Sequence, residues 1–290
     1  MTGEQQRALL RYVKDHWTAF EKGGVSSNEV RYFAWEGTEY VLKMPRVTGE
    51  NQSPFWAMME GVFQFSFARQ MRALPHLDGL LRRNPHIPAA HFAAAGEGMM
   101  IFERMAGSPW PRDEFPKGTD NAARLGKYIG FNHQRSYAGC GIVGQTQDED
   151  FFQRAFAHME RTIAAHWSGT GDDDRRMRAL YAALQKRGFQ SARHTLIMTD
   201  MSADQFLFDP EENLAACVDL DAVVIGPAEW ELSFLHSQVA DWVAFRAGYE
   251  TYLPMPRFEE TAVFFYFLMA LNSYEHKDEI NAYWARYLPL

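Results

Sequence analysis

A hairpin pattern in the last third of the chain places the strongest constraint on the fold. Three short apolar runs, at residues 195–198, 206–208 and 214–218, have the length of buried strands. Residues 209–213, Asp-Pro-Glu-Glu-Asn, separate the second run from the third, and their residue types favour a turn. We therefore predict a hairpin in which residues 206–208 pair with residues 214–216.

This hairpin is expected to gather polar side chains at its open end. Gln205 and Asp219 leave the two strands at the same end, and Asp200 begins the loop that leads into them. The predicted group is Asp200, Asp204, Gln205, Asp219 and Asp221. Clustered carboxylates are costly unless a cation neutralises them, and oxygen ligands of this kind suit Mg²⁺. The alternative is a solvated acidic hairpin in a chain with 37 acidic residues.

The spacing of these residues resembles a known pattern. Asp200-x-x-x-x-Gln205, an apolar strand and then Val-Asp-Leu-Asp at residues 218–221 resemble the kinase-like Asp-x-x-x-x-Asn motif and its metal-binding aspartate. Residues 226–232, Gly-Pro-Ala-Glu-Trp-Glu-Leu, look like the Gly-Asp-Pro-x-x-Asp-Leu run of the aminoglycoside phosphotransferase, or choline kinase-like, family. Three features differ from that pattern: Met198-Thr199 replaces His-Gly, Gln205 replaces Asn, and Glu231 replaces Asp.

The resemblance implies a fold and a division of the chain. The fold is expected to be α+β and two-lobed, similar to the protein kinases. Residues 1–105 are expected to form a small nucleotide-binding lobe with an antiparallel sheet, including strands at residues 30–35 and 40–44. Residues 106–290 are expected to form a larger, mostly helical lobe that holds the catalytic and acceptor-binding residues.

The resemblance also implies roles for residues of the small lobe. Lys43 ends the predicted strand Tyr-Val-Leu-Lys, where the family places a lysine that contacts the nucleotide phosphates. Its expected partner is Glu60, the only acidic residue in a helix predicted over residues 54–73. Glu103 and Met105 lie where the family has its hinge, whose backbone groups meet adenine.

Helical periodicity accounts for most of the remaining chain. His133, in one of these helices, is expected to be a packed histidine with its hydrogen bonds satisfied. The other predicted helices cover residues 2–20, 121–137, 150–167, 177–187, 231–246, 258–274 and 278–287.

Composition limits the location and the partners of the protein. The 290 residues are 47% hydrophobic, which is ample for one large or two small domains. A net charge of −8 argues against nonspecific binding to nucleic acid. The most apolar run, residues 262–271, is too short to span a bilayer. No signal segment opens the chain, and Cys140 and Cys217 make no disulfide framework, so we expect a cytoplasmic protein.

The function that the resemblance implies is transfer of the γ-phosphate of ATP to a hydroxyl group of a small molecule. Asp200 would be the catalytic carboxylate, Asp219 and Gln205 would bind Mg²⁺, and Lys43 would hold the α and β phosphates. The main alternative is an inactive kinase-like protein that binds nucleotide, and a nucleotidyl or other transferase on the same fold is a third possibility. The sequence leaves the acceptor, the choice of ATP or GTP, and the oligomeric state open.

Overall fold

The computed structural model describes residues 1–25, 27–46, 53–112, 114–147, 150–191 and 193–275. Over these residues the chain has an α+β architecture, with an antiparallel sheet near the N-terminus and a mostly helical C-terminal part. The elements are α1 (Gly3–His16), β1 (Glu21–Val25), β2 (Asn28–Trp35), β3 (Thr38–Pro45), α2 (Pro54–Phe63), α3 (Phe67–Leu81), β4 (Phe92–Gly96), β5 (Met99–Glu103), β6 (Ser108–Pro109), α4 (Thr119–His133), α5 (Phe151–His166), α6 (Asp172–Arg187), β7 (His194–Met198), β8 (Phe206–Phe208), β9 (Leu214–Cys217), β10 (Val223–Pro227), α7 (Ala228–Gln238), α8 (Trp242–Tyr249) and α9 (Glu259–Leu271).

The N-terminal sheet has five antiparallel strands in the order β1-β2-β3-β5-β4. A two-residue turn joins β2 to β3, and Glu36 and Gly37 both have positive φ there, 48° and 79°, as the tightest hairpin turns require. Helix α1 covers the outer face of the sheet, where Leu9 and Val13 pack with Leu42 and Ile101 in one hydrophobic cluster. The predicted small-lobe sheet is therefore present.

The prediction of a single helix over residues 54–73 is wrong, because two helices, α2 and α3, occupy this region. Gln64 ends α2 with left-handed backbone angles, and the Ser66 side chain accepts a hydrogen bond from the Arg69 N–H at the start of α3. A helix cap of this kind competes with continuation of the helix before it. The break lets α2 turn its apolar face toward the C-terminal part, where Phe63 contacts Phe151 and Trp230.

The C-terminal part contains the predicted hairpin. Strand β8 pairs with β9, with Phe206 opposite Cys217 and Leu207 opposite Ala216. Strand β7, also predicted, pairs with β10, which the sequence analysis missed. All five residues of β10 are buried, so it lacks the alternation of an exposed strand. Its pairing with β7 places the residues after Asp219 beside those before Asp200.

The long helix predicted over residues 231–246 is also divided. Helix α7 ends at Gln238, and the side chain of Asp241 accepts a hydrogen bond from the Ala244 N–H at 3.0 Å to begin α8. The helix predicted over residues 258–274 corresponds to α9, and the one predicted over residues 278–287 lies outside the described residues. No helix in the described part of the chain is long and apolar enough to cross a membrane.

Helices α4 and α8 approach each other closely at glycines. A Cβ atom added to Gly126 would lie 2.0 Å from the carbonyl oxygen of Phe245, and one added to Gly248 would lie 2.1 Å from that of Ala123. Both obstacles are backbone atoms of the facing helix, which cannot move aside as a side chain can. The contact therefore requires residues without side chains.

We expect Gly126→Ala to destabilise the fold by about 1–3 kcal/mol, because the two helices must separate to admit the methyl group. Gly79→Ala is the matched control, since Gly79 lies inside α3 with open space around its Cβ position. Alanine there should stabilise the helix by about 0.5–1 kcal/mol. Urea unfolding of both variants measures the difference, and equal stabilities would contradict the close contact.

Candidate functional site

A cleft lies between the inner face of the five-stranded sheet and the β8–β9 hairpin. It has a volume of about 240 Å³ and is lined by β2, β3, the end of β5, the segment that follows it, and the ends of β8 and β9. Five of the residues predicted from the sequence line this cleft: Lys43, Glu103, Met105, Asp204 and Asp219. The fold therefore brings the predicted lysine, the predicted hinge and part of the predicted acidic group together.

Lys43 is the buried cation of the cleft. Its Nζ lies 2.7 Å from Asp219 Oδ1 and 3.4 Å from Asp221 Oδ2. Burial alone lowers the pKa of the Lys43 ammonium, but the negative charges of Asp221 and Asp219 outweigh it, and the net pKa is raised. Lys43 is therefore charged at neutral pH and paired with both acids of the Val-Asp-Leu-Asp segment.

Asp221 is the most buried acid of this group. Its side chain is 3% exposed, whereas that of Asp219 is 39% exposed. Burial raises the pKa of Asp221 to about 6, against the opposing charge of Lys43. Asn28 donates a hydrogen bond from Nδ2 to Asp221 Oδ2 at 2.5 Å, while Oδ1 of Asp221 is buried and has no hydrogen-bond partner.

The hairpin holds Gln205 beside the Val-Asp-Leu-Asp segment at residues 218–221. Its carbonyl oxygen accepts a hydrogen bond from the Val218 N–H at 3.0 Å, so Gln205 lies across from the residue before Asp219. The side chain is buried, and its Nε2 lies 3.4 Å from Asp204 Oδ1. This is the arrangement that the turn residues predicted.

The donor atoms of this region suit a magnesium ion. The half-exposed carboxylate of Asp219 and the amide oxygen of Gln205 are both hard oxygen donors, which Mg²⁺ prefers. Within the described ranges, no group of three or more His, Cys, Asp or Glu side chains is arranged to hold a metal ion. A magnesium site here would therefore depend on the amide oxygen and on oxygens of a bound phosphate.

Asp200 lies in an exposed turn directly after β7. The preceding residue fixes this turn: the N–H and the hydroxyl of Thr199 both donate to the Ala222 carbonyl oxygen, at 3.3 and 2.9 Å. Trp230 Nε1 donates to the Thr199 carbonyl oxygen at 3.1 Å. Asp200 therefore presents an exposed carboxylate on a rigidly held backbone, as a residue that contacts a substrate must.

The predicted ion pair between Lys43 and Glu60 is not formed in this structure, where Lys43 contacts Asp219 and Asp221 instead. Glu60 is exposed and lines a separate groove of about 440 Å³ between α2 and α5, together with His158 and Arg161. The reason is the direction of α2, where Gly61 lies so close to His158 that an added Cβ would be 2.4 Å from its Nδ1. This contact turns the Glu60 side of the helix toward α5 and away from Lys43.

The segment after β5 forms one end of the cleft. The Glu103 N–H donates to the His91 carbonyl oxygen at 2.8 Å, and the Arg104 N–H donates to the Glu39 carbonyl oxygen at 2.9 Å. After these bonds the chain leaves the sheet, and Met105 follows along the cleft wall.

A buried glutamine that the sequence analysis missed supports the acidic segment. Gln70 of α3 is fully buried, and its Nε2 donates to the carbonyl oxygens of Leu220 and Val223, at 3.3 and 3.1 Å. These two acceptors flank Asp221, so Gln70 fixes the backbone on both sides of it. A single polar residue on an apolar helix face was the only signal in the sequence. Asn28, which holds the side chain of Asp221, was not predicted either.

The comparison with known families agrees with this geometry. The sequence model of the phosphotransferase enzyme family, also called APH, matches residues 16–260. The chain belongs to this family. The resemblance identified from the sequence is confirmed, and membership supports activity as a small-molecule phosphotransferase. A search of curated protein sequences finds no relative of this phosphotransferase.

Solved structures share the fold of this phosphotransferase across nearly the whole chain. A putative aminoglycoside phosphotransferase from Ralstonia eutropha is 16% identical, with a TM-score of 0.66 over 95% of this chain and 89% of that one. A choline kinase from Streptococcus pneumoniae is 12% identical, with a TM-score of 0.57 over 97% and 96%. A macrolide 2'-phosphotransferase from Brachybacterium faecium is 16% identical, with a TM-score of 0.56 over 99% of both chains. The predicted protein-kinase-like fold is confirmed.

Glu231, one of the departures from the family motif, is part of a buried network in this phosphotransferase. Its Oε1 accepts a hydrogen bond from the Met198 N–H at 2.9 Å, and its Oε2 lies 2.9 Å from His133 Nε2. His133 is fully buried, and its Nδ1 lies 3.0 Å from the Tyr249 hydroxyl. The prediction of a packed, hydrogen-bonded histidine is confirmed. The longer acid thus holds the backbone of the strand that ends just before Asp200.

Proposed function

We propose that this phosphotransferase moves the γ-phosphate of ATP to a hydroxyl group of a small molecule in a magnesium-dependent reaction. The observation that carries the proposal is the contact of buried Lys43 with the acids of the β9–β10 segment in a cleft. A cation beside magnesium-type oxygen donors suits a polyphosphate, whose charge both would neutralise.

Each residue has a proposed role. Lys43 holds the α and β phosphates, and backbone groups of Glu103 and Met105 bind the adenine base. Asp219 and Gln205 would hold the magnesium ion, which when bound neutralises charge on the phosphate oxygens. Asp200 orients the acceptor hydroxyl and accepts its proton. Glu60 has no part in this arrangement.

Most of the rate enhancement would come from positioning and charge neutralisation, because phosphoryl transfer needs little covalent chemistry from the protein. The hydrogen bonds of Thr199 and Glu231 support this view, since they hold the backbone on either side of Met198 and next to Asp200. A rigid turn keeps the carboxylate in its reactive position, so no conformational entropy has to be lost when the reaction occurs.

ATP is the proposed phosphate donor. A spectinomycin phosphotransferase that is 14% identical, with a TM-score of 0.54 over 96% of this chain and 88% of that one, was solved with ADP and spectinomycin. The proposed acceptor is a hydroxyl compound of the aminoglycoside, choline or sugar type. We place the reaction in the cytoplasm, whose reducing environment suits the two buried cysteine thiols. Residues 1–105 and 106–290 are the proposed lobes.

A catalytically weak or inactive relative that binds nucleotide is the second candidate. The departures from the family motif favour it, above all Gln205 in place of asparagine. The longer stem of glutamine must fold back, or the loop must lie farther from the ion, for the oxygen to reach magnesium at about 2.0–2.1 Å.

Turnover of ATP and of GTP, measured across a panel of aminoglycosides, amino alcohols and sugars with and without magnesium, tests the proposal. We expect magnesium-dependent turnover of ATP with at least one hydroxyl acceptor. Binding of ATP that is weak and independent of magnesium, with no turnover on the panel, would favour the inactive relative.

A further inference from the structure

We propose that Asp221, the second acid of the Val-Asp-Leu-Asp segment, is the positioning residue for Lys43 and replaces an acid from the helix after β3. This inference rests on the proposed function, in which Lys43 contacts the nucleotide phosphates. It assigns different tasks to the two acids: Asp219 meets the metal ion, and Asp221 keeps the lysine in place.

The first observation is the difference in exposure of the two acids that Lys43 contacts. The side chain of Asp219 is 39% exposed and opens onto the cleft, whereas that of Asp221 is 3% exposed. A half-exposed carboxylate can exchange a lysine for a metal ion. A buried carboxylate cannot turn to solvent, so the contact between Lys43 and Asp221 persists when Asp219 changes partner.

The second observation is that Asp221 is itself held on several sides. Asn28, at the start of β2, donates to the same oxygen, Oδ2, that faces Lys43. Gln70 fixes the backbone through the carbonyl oxygens of Leu220 and Val223. A strand of the sheet and α3 together therefore fix the position of Oδ2. A group that orients another side chain must itself be fixed in this way.

The third observation concerns charge. The Lys43 side chain is 11% exposed, and a buried ammonium is costly unless a carboxylate accompanies it. Glu60 lies in the groove between α2 and α5 and does not serve as that partner. Once Asp219 binds a metal ion, Asp221 is the carboxylate that remains within 3.4 Å of Lys43 among the described residues.

A double-mutant cycle on nucleotide binding tests this inference. Dissociation constants for ATP with magnesium are measured for the native protein, Asp221→Asn, Lys43→Met and the double variant. We expect Asp221→Asn to weaken binding by about tenfold, as the loss of a charged hydrogen bond does. In the Lys43→Met background the same change should have almost no further effect, because a residue that acts only through Lys43 has nothing left to position.

Three further variants make the result specific. Glu97→Gln removes one surface carboxylate from the β4–β5 turn, and it should leave binding unchanged. Glu60→Gln should also leave it unchanged. Asn28→Ala keeps the charge of Asp221 but releases its side chain, so a smaller weakening that again disappears in Lys43→Met is expected. This last variant tests the inference even if Asp221→Asn fails to fold, which thermal unfolding would reveal.

Several outcomes would overturn the inference. Equal losses from Asp221→Asn in the native and Lys43→Met backgrounds would show that Asp221 acts independently of the lysine. If Asp221→Asn raises the magnesium concentration needed for half-maximal ATP binding, Asp221 is a metal ligand. If Glu60→Gln binds ATP more weakly than the native protein, Glu60 is the partner of Lys43, as the family resemblance implied. Native affinity in Lys43→Met alone would instead refute the proposed function.

Discussion

Asp200→Asn is expected to lower turnover by about 10²–10⁴-fold, the range that general-base assistance contributes. Asparagine keeps the shape of aspartate and removes the proton acceptor. Because Asp200 is exposed in its turn and the neighbouring backbone is held by Thr199 and Glu231, the substitution should leave the loop in place. The affinity for ATP should barely change, since Asp200 does not line the cleft proposed to bind the nucleotide.

Steady-state kinetics with a saturating acceptor, together with the dissociation constant for ATP, separate the two quantities. Asp120→Asn is the matched control, because Asp120 lies exposed in the first turn of α4. It should retain native turnover and affinity. Native turnover in Asp200→Asn would refute the catalytic assignment, whatever the affinity.

Asp219→Asn is expected to abolish the magnesium dependence of ATP binding. The substitution removes the charge of the acid that is exposed to the cleft and faces Lys43 at 2.7 Å. We expect the affinity for ATP in the presence of magnesium to fall by at least about 10–100-fold, the loss typical even for residues that only support a metal ligand. Calorimetric titration of ATP with and without magnesium measures the effect. Retained magnesium dependence would show that the ion binds elsewhere.

Gln205→Asn, measured in the same titrations, distinguishes a Gln205 that binds magnesium from one that has lost this function. The Gln205 side chain is buried, and its backbone is fixed opposite Val218. If the loop has adapted to the longer side chain, asparagine should lower activity although it restores the family residue. An asparagine variant as active as the native protein, combined with magnesium-independent binding in the native protein, would support the inactive relative.

The cleft could be predicted largely because its signals are local. The turn residues at 209–213 and the lengths of the flanking apolar runs determine the hairpin, and the hairpin places Gln205 beside Asp219 whatever the rest of the chain does. Lys43 also ends a short predicted strand, but its role was implied only by the resemblance to the family.

The partner of Lys43 could not be found from local signals. Choosing it required the direction of α2, which depends on the left-handed residue Gln64 and on the contact between Gly61 and His158, far apart in sequence. Strand β10 was missed for a related reason. Its residues are buried on all sides, and burial removes the alternation by which strands are recognised.

The pairing of one lysine with two acids has a consequence for the order in which ligands enter the cleft. Lys43 contributes one positive charge, and Asp219 and Asp221 contribute two negative charges, so the unliganded group repels a polyphosphate. A metal ion that arrives alone meets the ammonium of Lys43, 2.7 Å from the carboxylate it must bind. In the proposed reaction, nucleotide and metal would therefore favour each other's entry, and this coupling would be reciprocal. If the proposed function is correct, we therefore expect the cleft to accept the metal–nucleotide complex as a single ligand.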